Sequence, residues 1–151
     1  MLYLKYLKIK HVYILKKKYL YCLLIKMTTS YLSAFNNLIL KFNDDLIVVF
    51  PEENDFKVYR RGLEFLIGSN AKKVCNLFKI YTFNYRQKIL DRDESFFLKD
   101  ASYSDVVNTK DEGIVLIINK LKNYWGDLSV ENKTKIWEYM NTLITLGDLV
   151  N

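Results

Sequence analysis

The chain has 151 residues, the size of one domain; half of them are apolar and 15% aromatic, which supplies a packed core and argues against disorder. One proline and five glycines are too little turn chemistry for a sandwich or barrel of many short strands, so the fold class expected is all-α. The formal charge of +6 is unevenly placed: residues 1–26 hold seven lysines (Lys5, Lys8, Lys10, Lys16, Lys17, Lys18, Lys26) and no acid, whereas 27–151 hold 16 basic and 17 acidic groups, which removes most of the case for a DNA-binding domain.

Part of this composition describes a genome. Lysine outnumbers arginine 19 to 4, and Asn, Ile, Tyr and Phe are abundant, all residues of AT-rich codons. An AT-rich microbe, parasite or large DNA virus fits that bias. Cys22 and Cys75 with the single His11 make neither a zinc site nor a disulfide framework, and a reducing compartment follows.

In chain order, residues 1–26 form a basic, apolar N-terminal extension. Their longest apolar run, 19–25, is seven residues, far short of the roughly 20 that span a bilayer. No small-residue cleavage site follows, so secretion is not expected. On a helix the lysines scatter to all sides, and a coherent docking face is absent. Met27 then opens a polar lead, MTTS. Two readings stand for 1–26: an over-extended reading of an AT-rich upstream region, or a basic tail or membrane-surface anchor on a helical domain at 27–151.

From Thr29 the helical period is regular. Thr29 or Ser30 caps a first helix with the stripe Tyr31, Phe35, Leu38, Phe42, Leu46 and Val49, widened by Leu32 and Ile39; Pro51 ends it. Its end, LIVVF, is apolar nearly all round and predicts the most central helix. A second helix at about 53–67 turns Phe56, Tyr59, Leu63, Leu66 and Ile67 inward, with Gly62 in that arc for a close helix approach and Gly68 as its stop. Asn70 caps a third, with Val74, Leu77, Phe78 and Tyr81 inward, and a short helical piece carries Tyr85 and Ile89. Mixed turns follow over 91–105, with one helical turn at Phe96 and Phe97. Ile114, Ile117, Ile118, Leu121, Tyr124 and Trp125 share one face of the next helix. Ser129 caps the last, which turns Ile136, Trp137, Met140, Leu143 and Ile144 inward and which Gly147 closes. The sum is a single irregular bundle of about five or six helices.

Three groups of residues carry candidate chemistry. Lys57, Arg60, Arg61, Lys72 and Lys73 are the one basic grouping of 27–151 and suit anion or nucleic-acid contact, although Glu64 one turn from the arginines also fits a solvated, ion-paired face. Asp91, Asp93 and Glu94 are spaced for Mg²⁺ or Ca²⁺, but without the glycine and distal glutamate of a calcium loop they read better as a solvated turn and helix cap, and no metal or other cofactor is expected. Trp125 and Trp137 with Tyr124 and Tyr139 offer an aromatic platform, but Trp125, Trp137 and Tyr124 lie on inward arcs, so core packing is the better reading. Histidine is absent from 27–151, and there is no phosphate-binding glycine loop, so no catalytic residue is named and the protein is read as a non-enzyme.

The stretches DLIVVFPEENDFKVYRRGLEFLIGSNAKK at 45–73, LDRDESFF at 90–97 and KNYWGDLSVENKTKIWEYMNTLITLG at 122–147 resemble a family of short, uncharacterised helical proteins of nucleocytoplasmic large DNA viruses, the mimivirus-like and phycodnavirus-like groups. The resemblance covers most of 30–147 and leaves out 1–26. It implies an all-helical fold and a viral origin, and it brings no activity, ligand or site residue. The function expected is that of a small viral helical protein acting through protein–protein contacts in host cytoplasm or virion. The alternative is a nucleic-acid-associated factor using 57–73 and the N-terminal tail, and a metal-dependent enzyme on Asp91, Asp93 and Glu94 ranks third.

Overall fold

The computed structural model describes residues 2–98 and 113–150, with side chains from residue 14 onward. The part of the 91–105 turn region from residue 99 on, and the side chains of Lys5, Lys8, Lys10 and His11, lie outside that description. Every regular element among the described residues is helical: α1 Leu2–Val49, α2 Asn54–Ser69, α3 Lys73–Thr82, α4 Arg86–Leu90, α5 Ser95–Leu98, α6 Ile114–Tyr124 and α7 Val130–Leu149, with 3₁₀ turns at Phe83–Tyr85 and Trp125–Asp127. The all-α bundle expected from the sequence is what forms; α4 and α5 are its two short pieces.

The first helix is longer than its period suggests. No proline precedes Pro51 and no glycine precedes Gly62, so nothing in the first 49 residues breaks a helix of Leu, Lys, Tyr and Ile. The cap expected at Thr29 or Ser30 does not form. Thr29 Oγ1 instead donates to the Ile25 carbonyl at 2.9 Å, a bond back along a helix already running. At 1.5 Å per residue, the 48 residues of α1 extend about 72 Å. What changes near residue 27 is burial: residues 14–27 are exposed, and the first buried side chain among those described is Leu32.

The buried face of α1 is Leu32, Phe35, Asn36, Ile39, Phe42, Asn43 and Leu46, and it packs mainly on α7 and α2. Two asparagines occupy places in this arc, and Tyr31, Leu38 and Val49, expected inside, are half-buried. The asparagines belong there because their amides reach across to other elements: Asn36 Nδ2 donates to the Ala71 carbonyl at 2.9 Å, and Asn43 Nδ2 to the Phe56 carbonyl at 2.8 Å. The apolar end at 46–50 is not enclosed all round, since Val48 is exposed.

Most of the remaining stripes form the core, while Tyr59, Ile67, Leu77 and Tyr124, expected inside, are half-buried. Phe56, Leu63 and Leu66 of α2, Val74, Cys75, Phe78 and Tyr81 of α3, Ile114, Ile117, Ile118 and Leu121 of α6, and Ile136, Trp137, Met140, Leu143 and Ile144 of α7 are all buried. Ser129 caps α7 as its sequence predicts, accepting from the Asn132 N–H. Asn70 ends α2 in place of capping α3; its Oδ1 accepts the Lys72 N–H, and α3 begins three residues beyond it with Lys72 at its N-cap.

The glycines depart from expectation. Gly62 faces outward, with open space where a side chain would stand, because the inward arc of α2 runs through Phe56, Leu63 and Leu66. Gly68 and Gly147 lie inside helices that continue past them; Gly147 is buried against Lys79 Cγ and Phe35. Gly113 is the position that backbone geometry demands: it precedes α6 at φ 67° and ψ −117°, with Leu63 Cδ2 3.3 Å from where a Cβ would be.

Candidate functional site

The basic grouping does not converge. Arg60 turns toward α1, where Nε bonds Asp44 Oδ1 at 2.7 Å, and a guanidinium nitrogen meets Glu64 Oε1 at 2.6 Å. The hydrogen bond to Asp44 leads in holding the Arg60 pKa above its usual value, so the guanidinium is committed to two carboxylates. Lys57 Nζ is directed to the Pro51 carbonyl and Asn54 Oδ1 at one end of α2. Lys72 and Lys73 stand beyond the other end of that helix, which is 16 residues or about 24 Å long. Arg61 is exposed between them.

The acidic run also disperses. Asp91 Oδ1 accepts from Gln87 Nε2 at 2.9 Å, Asp93 Oδ1 accepts the Ser95 N–H at 2.9 Å and so opens α5, and Glu94 faces Lys133 at 3.4 Å. Among the described residues no group of three Asp, Glu, His or Cys is arranged to hold a metal ion. The aromatic residues pack on one another: Phe97 stacks on Trp125 with centroids 4.0 Å apart and planes at 11°, and Trp137 meets Trp125 edge-on at 5.3 Å. Both tryptophans are buried, so neither offers a platform to a ligand.

Tertiary structure also assembles a polar group that the sequence does not reveal. Glu53, the N-cap of α2, accepts its Asp55 N–H through Oε1 and the Tyr124 hydroxyl through Oε2 at 2.6 Å. Lys120 Nζ lies 2.9 Å from Glu53 Oε2 and 2.6 Å from Asp55 Oδ2. The Tyr124 bond, followed by Lys120 and the Asp55 N–H, lowers Glu53 to about 2. Asp55 and then Glu53 raise Lys120 above the ordinary lysine range. Both groups are thereby fixed in their charged forms, the reverse of what a general acid or base working near neutral pH requires. The one sequence signal was the position of Glu53 just before a helix; Tyr124, 71 residues from Glu53, and Lys120, 65 residues from Asp55, leave none. Tyr139 donates likewise to Asp45 across α7 and α1, and Arg86 forms a two-pronged pair with Asp148.

The remaining feature is the exposed half of α1. In the arm at 14–27, Ile14, Leu15, Tyr19, Leu20, Tyr21, Leu23, Leu24, Ile25 and Met27 all stand in solvent, Tyr19 at 74% and Leu24 at 54% exposure. These nine are half of the 18 exposed large apolar side chains described, gathered on 14 residues. Lys16, Lys17, Lys18 and Lys26 are interspersed with them, and no acid precedes Asp44. The core stripe of α1 continues N-terminally from Leu32 through Thr28 and Ile25 to Tyr21 at the same three- and four-residue spacing, now largely uncovered, and meets Lys17 and Lys18 at the next turn. Where the arm leaves the bundle, Tyr21, Leu24, Ile25, Thr28 and Leu32 line a groove of about 430 Å³ that Lys72 closes from the start of α3. Lys72, singled out with the basic grouping, therefore belongs with the arm.

No family model matches the chain, and neither does any curated protein or solved structure. The reading of the arm consequently rests on its own chemistry. No described helix is long and apolar enough to cross a membrane. The arm exposes apolar and cationic groups together on a helix that a packed bundle holds at one end.

Proposed function

We propose that this protein works by association and not by catalysis, with the α1 arm as its contact element. In keeping with the resemblance of its sequence to short helical proteins of large DNA viruses, its setting is infected-cell cytoplasm or a virion. The observation that carries the reading is the concentration of nine exposed large apolar side chains on residues 14–27, where a monomer ordinarily scatters such groups. Three perturbed groups fit it too, since Glu53 and Lys120 are tied into permanent charge and Cys75 is buried with its thiol pushed up by desolvation, whereas Lys122, lowered to about 8 by desolvation, does not bear on it. Nucleic-acid contact through Lys57, Arg60, Arg61, Lys72 and Lys73 is the weaker reading, because Arg60 is engaged by Asp44 and Glu64.

Cys22 tests the proposal, being exposed on the arm while Cys75 is buried. In the cell where the protein acts, alkylation of Cys22 is expected to be several-fold slower than in the purified chain. Equal rates in both settings would sink the arm as a contact element.

A further inference from the structure

We infer that the arm docks on an anionic lipid surface, an inference that rests on the arm being the contact element. Residues 14–27 carry four lysines and no acid, so the matching surface is negative. Three anionic or apolar partners meet part of that description, and the arrangement of side chains separates them. On a nucleic acid the lysines would find phosphates, but Leu20, Leu23, Leu24 and Ile25 would stay in water. A second copy of the arm would cover the leucines and bring four lysines against four with no carboxylate between them. A bilayer surface answers both needs: apolar side chains enter the headgroup and acyl boundary, and Tyr19 and Tyr21 suit its polar edge.

The scatter of lysines around the helix is compatible with this surface. Lys16, Lys17 and Lys18 are successive residues, about 100° apart, and so point to different sides. A lysine on the lipid side lays its four methylenes along the apolar phase and brings its ammonium up to phosphate. The interspersed lysines leave no stretch of the helix apolar enough to cross, so it lies at the interface. Because α1 continues unbroken into the bundle, where Asn36 and Asn43 pin it to the Ala71 and Phe56 carbonyls, the docked arm would set the orientation of the bundle over the membrane.

The test uses the full chain labelled at Cys22 with an environment-sensitive fluorophore; the buried Cys75 is protected under native conditions. Vesicles of phosphatidylcholine containing about a third phosphatidylserine should shift the emission to the blue, and vesicles of phosphatidylcholine alone should not. A full-length variant with Lys16→Glu, Lys17→Glu and Lys18→Glu should bind the anionic vesicles more than about tenfold more weakly, and Leu20→Ser with Leu24→Ser should abolish the shift. Unchanged fluorescence of the buried Trp125 and Trp137 shows that these variants remain folded. No shift with anionic vesicles overturns the inference, as does tighter binding to duplex DNA than to vesicles, or a stable dimer that hides the Cys22 label without lipid. If vesicles fail while Cys22 remains protected in cells, the lipid assignment falls and the arm as contact element stands.

Discussion

The two halves of α1 contain similar residues and have opposite fates. Residues 14–27 are richer in large apolar side chains than residues 32–46, yet the former stand in solvent while Leu32, Phe35, Ile39, Phe42 and Leu46 are buried. The backbone is helical through both. What differs is the neighbourhood: α2 and α7 cross the second half. Hydrophobicity makes burial favourable, at about 1.5–3 kcal/mol for a large apolar side chain, but only where a surface exists to receive it.

Truncations on the two halves should expose the difference most sharply. Ile39→Ala, at a fully buried site, is expected to cost about 2–5 kcal/mol in urea unfolding followed by tryptophan fluorescence. A loss comparable to that of a surface substitution would mean that the α1–α7 contact is misassigned.

Next in size is Gly113→Ala. Strain at φ 67° together with the contact to Leu63 should cost about 1–3 kcal/mol in the same assay, whereas Gly62→Ala, with open space around it, should be neutral or stabilising through helix propensity. Reversal of that order would contradict the turn geometry before α6.

The acid limb of stability sharpens the picture for the bundle's polar contacts. Glu53 has a folded pKa of about 2, below its usual 4.5. Its depressed value favours the folded state above pH 4.5, and that contribution is lost as pH falls toward 2. Glu53→Gln should therefore flatten the stability curve across this window in denaturant titrations at successive pH values. An unaltered slope would show that the Tyr124 and Lys120 contacts do not persist in solution. The smallest effect belongs to the arm: Leu24→Ala should change stability by no more than about 0.5 kcal/mol, and a larger loss would place Leu24 in the fold.

How far the sequence discloses this molecule depends on the range of each interaction. Ser129 as a cap, Pro51 as a helix end, the turn at Phe96 and Phe97, and the inward positions of α6 and α7 are readable because caps and periodicity act within one or two turns. The helicity of residues 2–28 was not, since scattered lysines erase the amphipathic signal without preventing a helix. Of the candidate basic residues, Lys57, Arg60 and Arg61 prove to be separated or paired, and Lys72 lies against an arm to which no spacing connects it.

Sequence by itself determined that the chain is helical, approximately where most helices end, and which residues seek the core, because the backbone's own hydrogen bonds and the 3.6-residue period are local properties. Tertiary structure decided which apolar stripes find a partner. It placed Asn36 and Asn43 in the buried arc, and it brought Glu53 to Tyr124 across 71 residues. Such choices depend on groups far apart in the chain meeting in space, and no local pattern records them.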